Sequence, residues 1–137
     1  MIQIVKDSDT RPWFFLQTAH TTYGMWVMET GHLEHLYYGE RITVDSQDPA
    51  SCAPLVIQRA FAPGNTCTYD REHPQISMED VCLEVGTLGK GDIREPFLEV
   101  RFADGSVTSD FTFDSYKVIT LKEREQCLQD SGLPHSY

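Results

Sequence analysis

His32, Glu34 and His35 lie close together in the sequence, and imidazole and carboxylate are the usual oxygen and nitrogen ligands of zinc and related ions. On a strand, His32 and Glu34 share a face and His35 points the other way, so a third ligand must come from elsewhere, and the sequence names none. The expectation is solvent-facing polar residues at a hairpin and no metal site. Glycoside hydrolysis needs two carboxyl groups flanking a sugar bond. Asp70 with Glu72, Glu79 with Asp80, and Asp92 with Glu95 are all available, but among 21 acidic residues nothing selects a pair. Cys67 and His73 supply a thiol and a base without a third group to orient them. There is no Gly-x-Ser-x-Gly elbow and no Gly-rich phosphate loop. On these residues alone the chain is not a self-sufficient enzyme.

Asp92-Ile93-Arg94-Glu95-Pro96 reads as a brace. A carboxylate and a guanidinium two positions apart can exchange charge-assisted hydrogen bonds, and Pro96 fixes the exit. A local clamp is favoured over a loop held against something else. Trp13, Trp26, Tyr37, Tyr38 and Tyr69 have the flat faces that stack on pyranose rings. Core or interface packing is the better reading for those on strands, while Tyr69 falls in a loop where both readings stand.

The elements that would carry these residues are strands. Residues 13–17 are an apolar run after the Arg11-Pro12 break, and residues 21–29 alternate with period two, apolar on both faces, which predicts a strand covered on both sides. Thr30-Gly31 turns the chain into a return strand over residues 33–38, ended by Gly39. Residues 97–102 and 107–118 flank Ala103-Asp104-Gly105-Ser106, which predicts a second hairpin. Between the hairpins, residues 45–92 are rich in Pro and Gly and read as a long central loop. Residues 120–130 read as a short polar helix or linker before Gly132 and Pro134. The expected fold is all-β, an antiparallel β-sandwich of at least five strands, forming one domain over residues 1–137.

A formal net charge of −10, from 11 basic and 21 acidic residues, repels phosphate backbones and anionic membranes, so neither nucleic acid nor membrane is an expected partner. No run of apolar residues is long enough to span a bilayer. Cys52, Cys67, Cys82 and Cys127 form no CxxC pair. With no export signal at the N-terminus, free thiols and a cytoplasmic location are expected.

Several stretches carry a family likeness. They are Phe15-Leu16-Gln17-Thr18, Thr22-Tyr23-Gly24-Met25 and Gly31-His32-Leu33-Glu34-His35-Leu36-Tyr37-Tyr38-Gly39. Arg59-Ala60-Phe61-Ala62-Pro63, Gly91-Asp92-Ile93-Arg94-Glu95-Pro96, Asp104-Gly105-Ser106 with Ser109-Asp110-Phe111, and Gly132-Leu133-Pro134 follow in order. Together they resemble the start of the glycoside hydrolase family that contains microbial α-galactosidases (melibiases). Two departures are Thr112-Phe113, where that family usually has Arg-Tyr, and Gln58, where an acid is common.

The resemblance implies part of an N-terminal β-supersandwich, from a parent that also holds a (β/α)8 barrel with two catalytic aspartates and a C-terminal β domain. The barrel is absent from this chain. The parent implied is a retaining hydrolase of terminal α-linked galactose in melibiose- and raffinose-type sugars, homo-oligomeric, with no metal or organic cofactor. The resemblance further implies a domain that serves oligomerisation and shapes the active-site mouth. The segment 58–79 would lean toward a neighbouring subunit, with Gln58, Tyr69, Asp70 and Arg71 as substrate-binding residues or as interface partners. The alternatives are a free-standing carbohydrate-binding β module and a parent of neighbouring activity, an α-N-acetylgalactosaminidase or a galactosyl transferase.

Overall fold

The computed structural model describes residues 1–6, 11–57, 67–120 and 123. Four antiparallel strands, β1 (Ile2–Lys6), β2 (Pro12–Gln17), β3 (Thr21–Val27) and β4 (Leu33–Glu40), form one sheet in the order β1-β2-β3-β4. β1 is an addition to the strands read from sequence. Its Ile-Gln-Ile-Val run pairs with β2 in the register Ile2↔Leu16, Ile4↔Phe14 and Val5↔Trp13. β4 continues through Gly39 to Glu40 because Thr22 and Thr21 supply ladder partners there.

Strand alternation gives the sheet two apolar faces. On one face Val5, Trp13, Phe15 and Trp26 pack with Val44 and Cys52, so residues 42–56 cover that side. Phe15 is fully buried, and burying such a side chain contributes roughly 2–3 kcal/mol. Trp13 and Trp26, directly paired across β2 and β3, set their rings 4.8 Å apart. On the other face Ile2, Ile4, Phe14, Leu16 and Met25 look toward residues 113–119, where Phe113 and Tyr116 lie against Phe14. β3 is therefore covered on both sides, as its two-faced apolar pattern requires.

The β3–β4 connection closes with Gly31 N donating to Met28 O, and Gly31 takes the positive φ of 82° that the turn demands. The second hairpin departs from expectation. Its tip forms: Phe102 N donates to Ser106 O, Gly105 N to Phe102 O, and Asp104 caps Ser106. Its arms do not pair with each other, because their donors go elsewhere. Phe97 N bonds Gly86 O, Ser109 N bonds Leu88 O, and Phe113 N bonds Gly31 O. Four strands, not five or more, are present among the described residues.

The long central segment is better anchored than its composition implies. It holds 3-10 helices at Pro49–Leu55 and Met78–Asp80 and a small core of its own. Ile76, Met78 and Val81 are buried there with Met28, and Tyr69 and Leu83 pack against them. At the far end Thr120 and Glu123 exchange reciprocal capping hydrogen bonds, a helix-start signature. The remainder of the helix expected over residues 120–130 lies outside the described residues.

Candidate functional site

Four segments converge on one carboxylate. Asp110 sits just past the contact that ties Ser109 to Leu88, and its two oxygens face different partners. Oδ1 is 2.7 Å from Nε2 of His32, and Oδ2 accepts from the Tyr69 hydroxyl at 2.9 Å. Lys90 Nζ adds a longer ion pair to Oδ2 at 3.7 Å and stands 5.5 Å from the Tyr69 ring centre. His32 is 97% buried (3% exposed), and its other nitrogen, Nδ1, lies 2.8 Å from the Thr30 hydroxyl. The expectation of a solvent-facing His32 and Glu34 is thus corrected. Glu34 is 1% exposed and accepts from the Trp26 indole N–H at 2.8 Å. Trp26 and Glu34 are directly opposed across β3 and β4, which is why the acid finds its donor there.

Lys90 reaches the cluster from a constrained turn. Gly89, Lys90 and Gly91 have φ of 113°, 55° and 85°, three successive left-handed residues, and only the lysine is a residue for which that is uncommon. The turn brings Gly91 against Cys67.

The residues expected to touch substrate separate in the structure. Tyr69 belongs to the Asp110 cluster, where burial, then the Asp110 hydrogen bond, push its hydroxyl up to about 12. Asp70 turns inward on its own loop. Oδ1 accepts from His73 N at 2.7 Å, from Glu72 N at 2.9 Å and contacts His73 Nδ1 at 2.8 Å. Desolvation pulls its carboxyl up, but the His73 and Glu72 hydrogen bonds outweigh it and hold the group below the usual range. Arg71 is exposed and has no polar partner among the described residues. Asp70 and Arg71 therefore do not pair with each other. Gln58 lies outside the described residues, as does Arg59.

The brace expected at Asp92 and Arg94 is present and reaches further than its own loop. Arg94 Nε and Nη2 donate to the two Asp92 oxygens, both at 2.9 Å, and Nη2 also donates to Met78 O at 2.8 Å. One guanidinium thereby joins the loop to the 3-10 helix of the second core. A further cluster escaped the sequence reading. Glu84 accepts from Tyr23 and lies 3.2 Å from His35 Nδ1. Burial first, and the Glu84 hydrogen bond next, push the Tyr23 hydroxyl up to about 12. Glu84 is placed there by strand-like pairing of its segment with β4, in which His35 N donates to Cys82 O and Glu84 N to Leu33 O.

Chemically these clusters are fasteners. Both His32 nitrogens and both Asp110 oxygens have protein partners. Among the described residues no three His, Cys, Asp or Glu side chains converge to hold a metal ion. Cys52, Cys67 and Cys82 are free thiols. No helix among the described residues is long and apolar enough to cross a membrane.

Over 122 residues, 88% of its length, this chain is 34% identical to the bifunctional alpha-galactosidase/sucrose kinase of Mediterraneibacter gnavus, and it covers 12% of that protein. It is 28% identical over 124 residues to an alpha-galactosidase of Geobacillus stearothermophilus, covering 15% of it. Among solved structures, the alpha-galactosidase of Lactobacillus brevis superposes with a TM-score of 0.67 at 29% identity, over 82% of this chain and 14% of that one. The galactosidase domain of the alpha-galactosidase-sucrose kinase superposes with a TM-score of 0.64, also at 29% identity, over 83% of this chain and 15% of that one. The chain thus spans a small part of the length of the curated relatives it matches. Residues 31–137 match the family described as the glycosyl hydrolase family 36 N-terminal domain, and the chain belongs to that family.

Proposed function

We propose that the chain serves as the non-catalytic N-terminal β domain of an α-galactosidase that removes terminal α-galactosyl residues from melibiose- and raffinose-type sugars. In this reading the domain supports oligomerisation and shapes the mouth of the active site. Family membership and relatives that are alpha-galactosidases support the parent activity. The observation that carries the domain's role is the uncovered apolar surface along residues 93–119. Ile93 is 84% exposed, Phe97 81% and Val118 53%. Residues 114–119 also make no backbone–backbone hydrogen bond among the described residues. Apolar side chains and open peptide groups together call for protein cover.

Non-catalysis is supported by the match to a family described as the N-terminal domain of these glycosyl hydrolases. Purified as the 137-residue chain, the domain is expected to give no turnover of a chromogenic α-galactoside. Turnover above background would overturn the reading.

Of the four residues proposed to touch substrate near a neighbouring subunit, Arg71 is the one whose described side chain is free to reach outward, with Gln58 kept as its companion. Tyr69 and Asp70 then hold the loop in shape. In the parent enzyme Arg71→Ala is expected to raise KM for raffinose with the oligomer intact. Dissociation of the oligomer would assign Arg71 to the interface instead.

A further inference from the structure

At the end of the sheet where the chain enters β2 and β3 turns into β4, two adjoining hollows of about 180 and 430 Å³ share Arg11, Met28 and Glu29 as walls. Trp26 and Gln75 close the smaller and Phe113 the larger. Arg11 has no hydrogen-bond or ion-pair partner among the described residues. Glu29 Oε1 accepts from Gln75 Nε2 at 2.5 Å, which leaves Glu29 Oε2 and Gln75 Oε1 as acceptors. The Trp26 N–H is spent inward on Glu34, so the indole meets the cleft as an apolar wall.

We propose that this cleft binds a neutral oligosaccharide. Its charges cancel: Glu29 repels an anion, as does the net charge of −10, and Arg11 repels a cation. What remains is a forked donor from Arg11 and open acceptors on Glu29 and Gln75. That set suits a ligand whose every hydroxyl both donates and accepts. Trp26 and Phe113 supply apolar area for the C–H face of a pyranose. Tyr69, Asp70 and Arg71 do not line this cleft, and sugar binding here does not depend on the parent being a hydrolase.

A ¹⁵N–¹H NMR titration of the 137-residue chain with raffinose tests the site. Saturable shifts are expected at Arg11, Glu29, Gln75 and the Trp26 indole, with the Trp13 indole unmoved and a Kd on the order of 1 mM. Arg11→Ala removes an unpartnered side chain, so the fold should persist while affinity falls about tenfold. Raising NaCl should leave Kd within about twofold, because no net charge is paired on binding. The proposal is overturned by the absence of saturable shifts at these residues, or by unchanged affinity in Arg11→Ala. Displacement of raffinose from the same resonances by inorganic phosphate would also overturn it, as it would mark an anion site.

Discussion

Nε2 of His32 and Oδ1 of Asp110 lie 2.7 Å apart although 78 residues separate them in sequence. The contact fastens the β3–β4 turn to the segment that crosses the sheet, and the Phe113 N to Gly31 O hydrogen bond runs alongside it. Asp110→Ala leaves the buried imidazole and the Tyr69 hydroxyl without their acceptor. Each unpaired buried donor costs about 1–3 kcal/mol, so a loss of about 3 kcal/mol in urea denaturation is expected. Asp114→Ala, at an exposed side chain bonded only to neighbouring Ser115, should change stability by less than about 0.5 kcal/mol.

Tyr23 and Tyr69 give the chain an alkaline limit. Both hydroxyls are pushed from 10.0 up to about 12, by burial first and then by the carboxylate each one donates to. A group whose folded pKa is raised contributes stability that is complete below its unfolded value and is lost as pH rises through the folded one. Stability should therefore fall between about pH 10 and about pH 12. Equilibrium unfolding across that range should show a shallower fall in the double variant Tyr23→Phe/Tyr69→Phe.

Asp92 sets an acid limit of opposite sign. The Arg94 hydrogen bond holds its carboxyl below the usual carboxylate range against the opposing effect of burial. Its contribution is complete above the unfolded value, about 3.9, and is lost as pH falls through the lower folded one. Arg94→Ala should reduce stability at pH 7, where the carboxylate and Met78 O lose their donor, and should flatten the decline below about pH 4. A stability-versus-pH curve measured for both proteins checks each half of this statement.

Gly91 tolerates no side chain. A Cβ there would stand 2.4 Å from Cys67 Sγ, and the backbone φ is 85°. Gly91→Ala should destabilise by about 1–3 kcal/mol through left-handed strain and the clash together. Adding Cys67→Ala should restore only part of this, since its Cβ would remain 3.2 Å away. Thermal denaturation of the single and double variants separates the two contributions.

The strands most legible in the sequence were those whose alternation is tied to a nearby turn. β2, β3 and β4 meet this condition, and the register that places Trp26 opposite Glu34 follows from the Thr30-Gly31 turn, while the shift between Gly24 and Met25 resets only the pairs beyond it. β1 is not marked in the sequence, because Ile2-Gln3-Ile4-Val5 has no local turn and its identity rests on a partner in β2. Asp104-Gly105 did form a turn, yet a turn cannot force its arms to pair when Leu88 and Gly31 offer acceptors to one of them. The buried state of His32 was hidden for the same reason. Its partner Asp110 is far away in sequence, and a strand histidine carries no mark of who will meet it. Tyr69 and Asp70 looked available because loops are usually solvated, whereas Ile76, Met78 and Val81 anchor theirs in a core spaced at neither strand nor α-helix period.

The exposed apolar residues should drive self-association of the isolated chain. Replacing Ile93 and Phe97 together by Ser removes two side chains that are 84% and 81% exposed, so folded stability should stay within about 0.5 kcal/mol. Light scattering should show the native sequence as dimers or larger species at high concentration and the double variant shifted toward monomer.

The most direct test of the central claim is to isolate the native polypeptide that carries this domain from its source cells, using an antibody raised against the 137-residue chain. Its intact mass and its release of galactose from raffinose are then measured on the same material. The account predicts a polypeptide several times longer than this domain that hydrolyses raffinose. A polypeptide of 15.6 kDa with no such activity would contradict it.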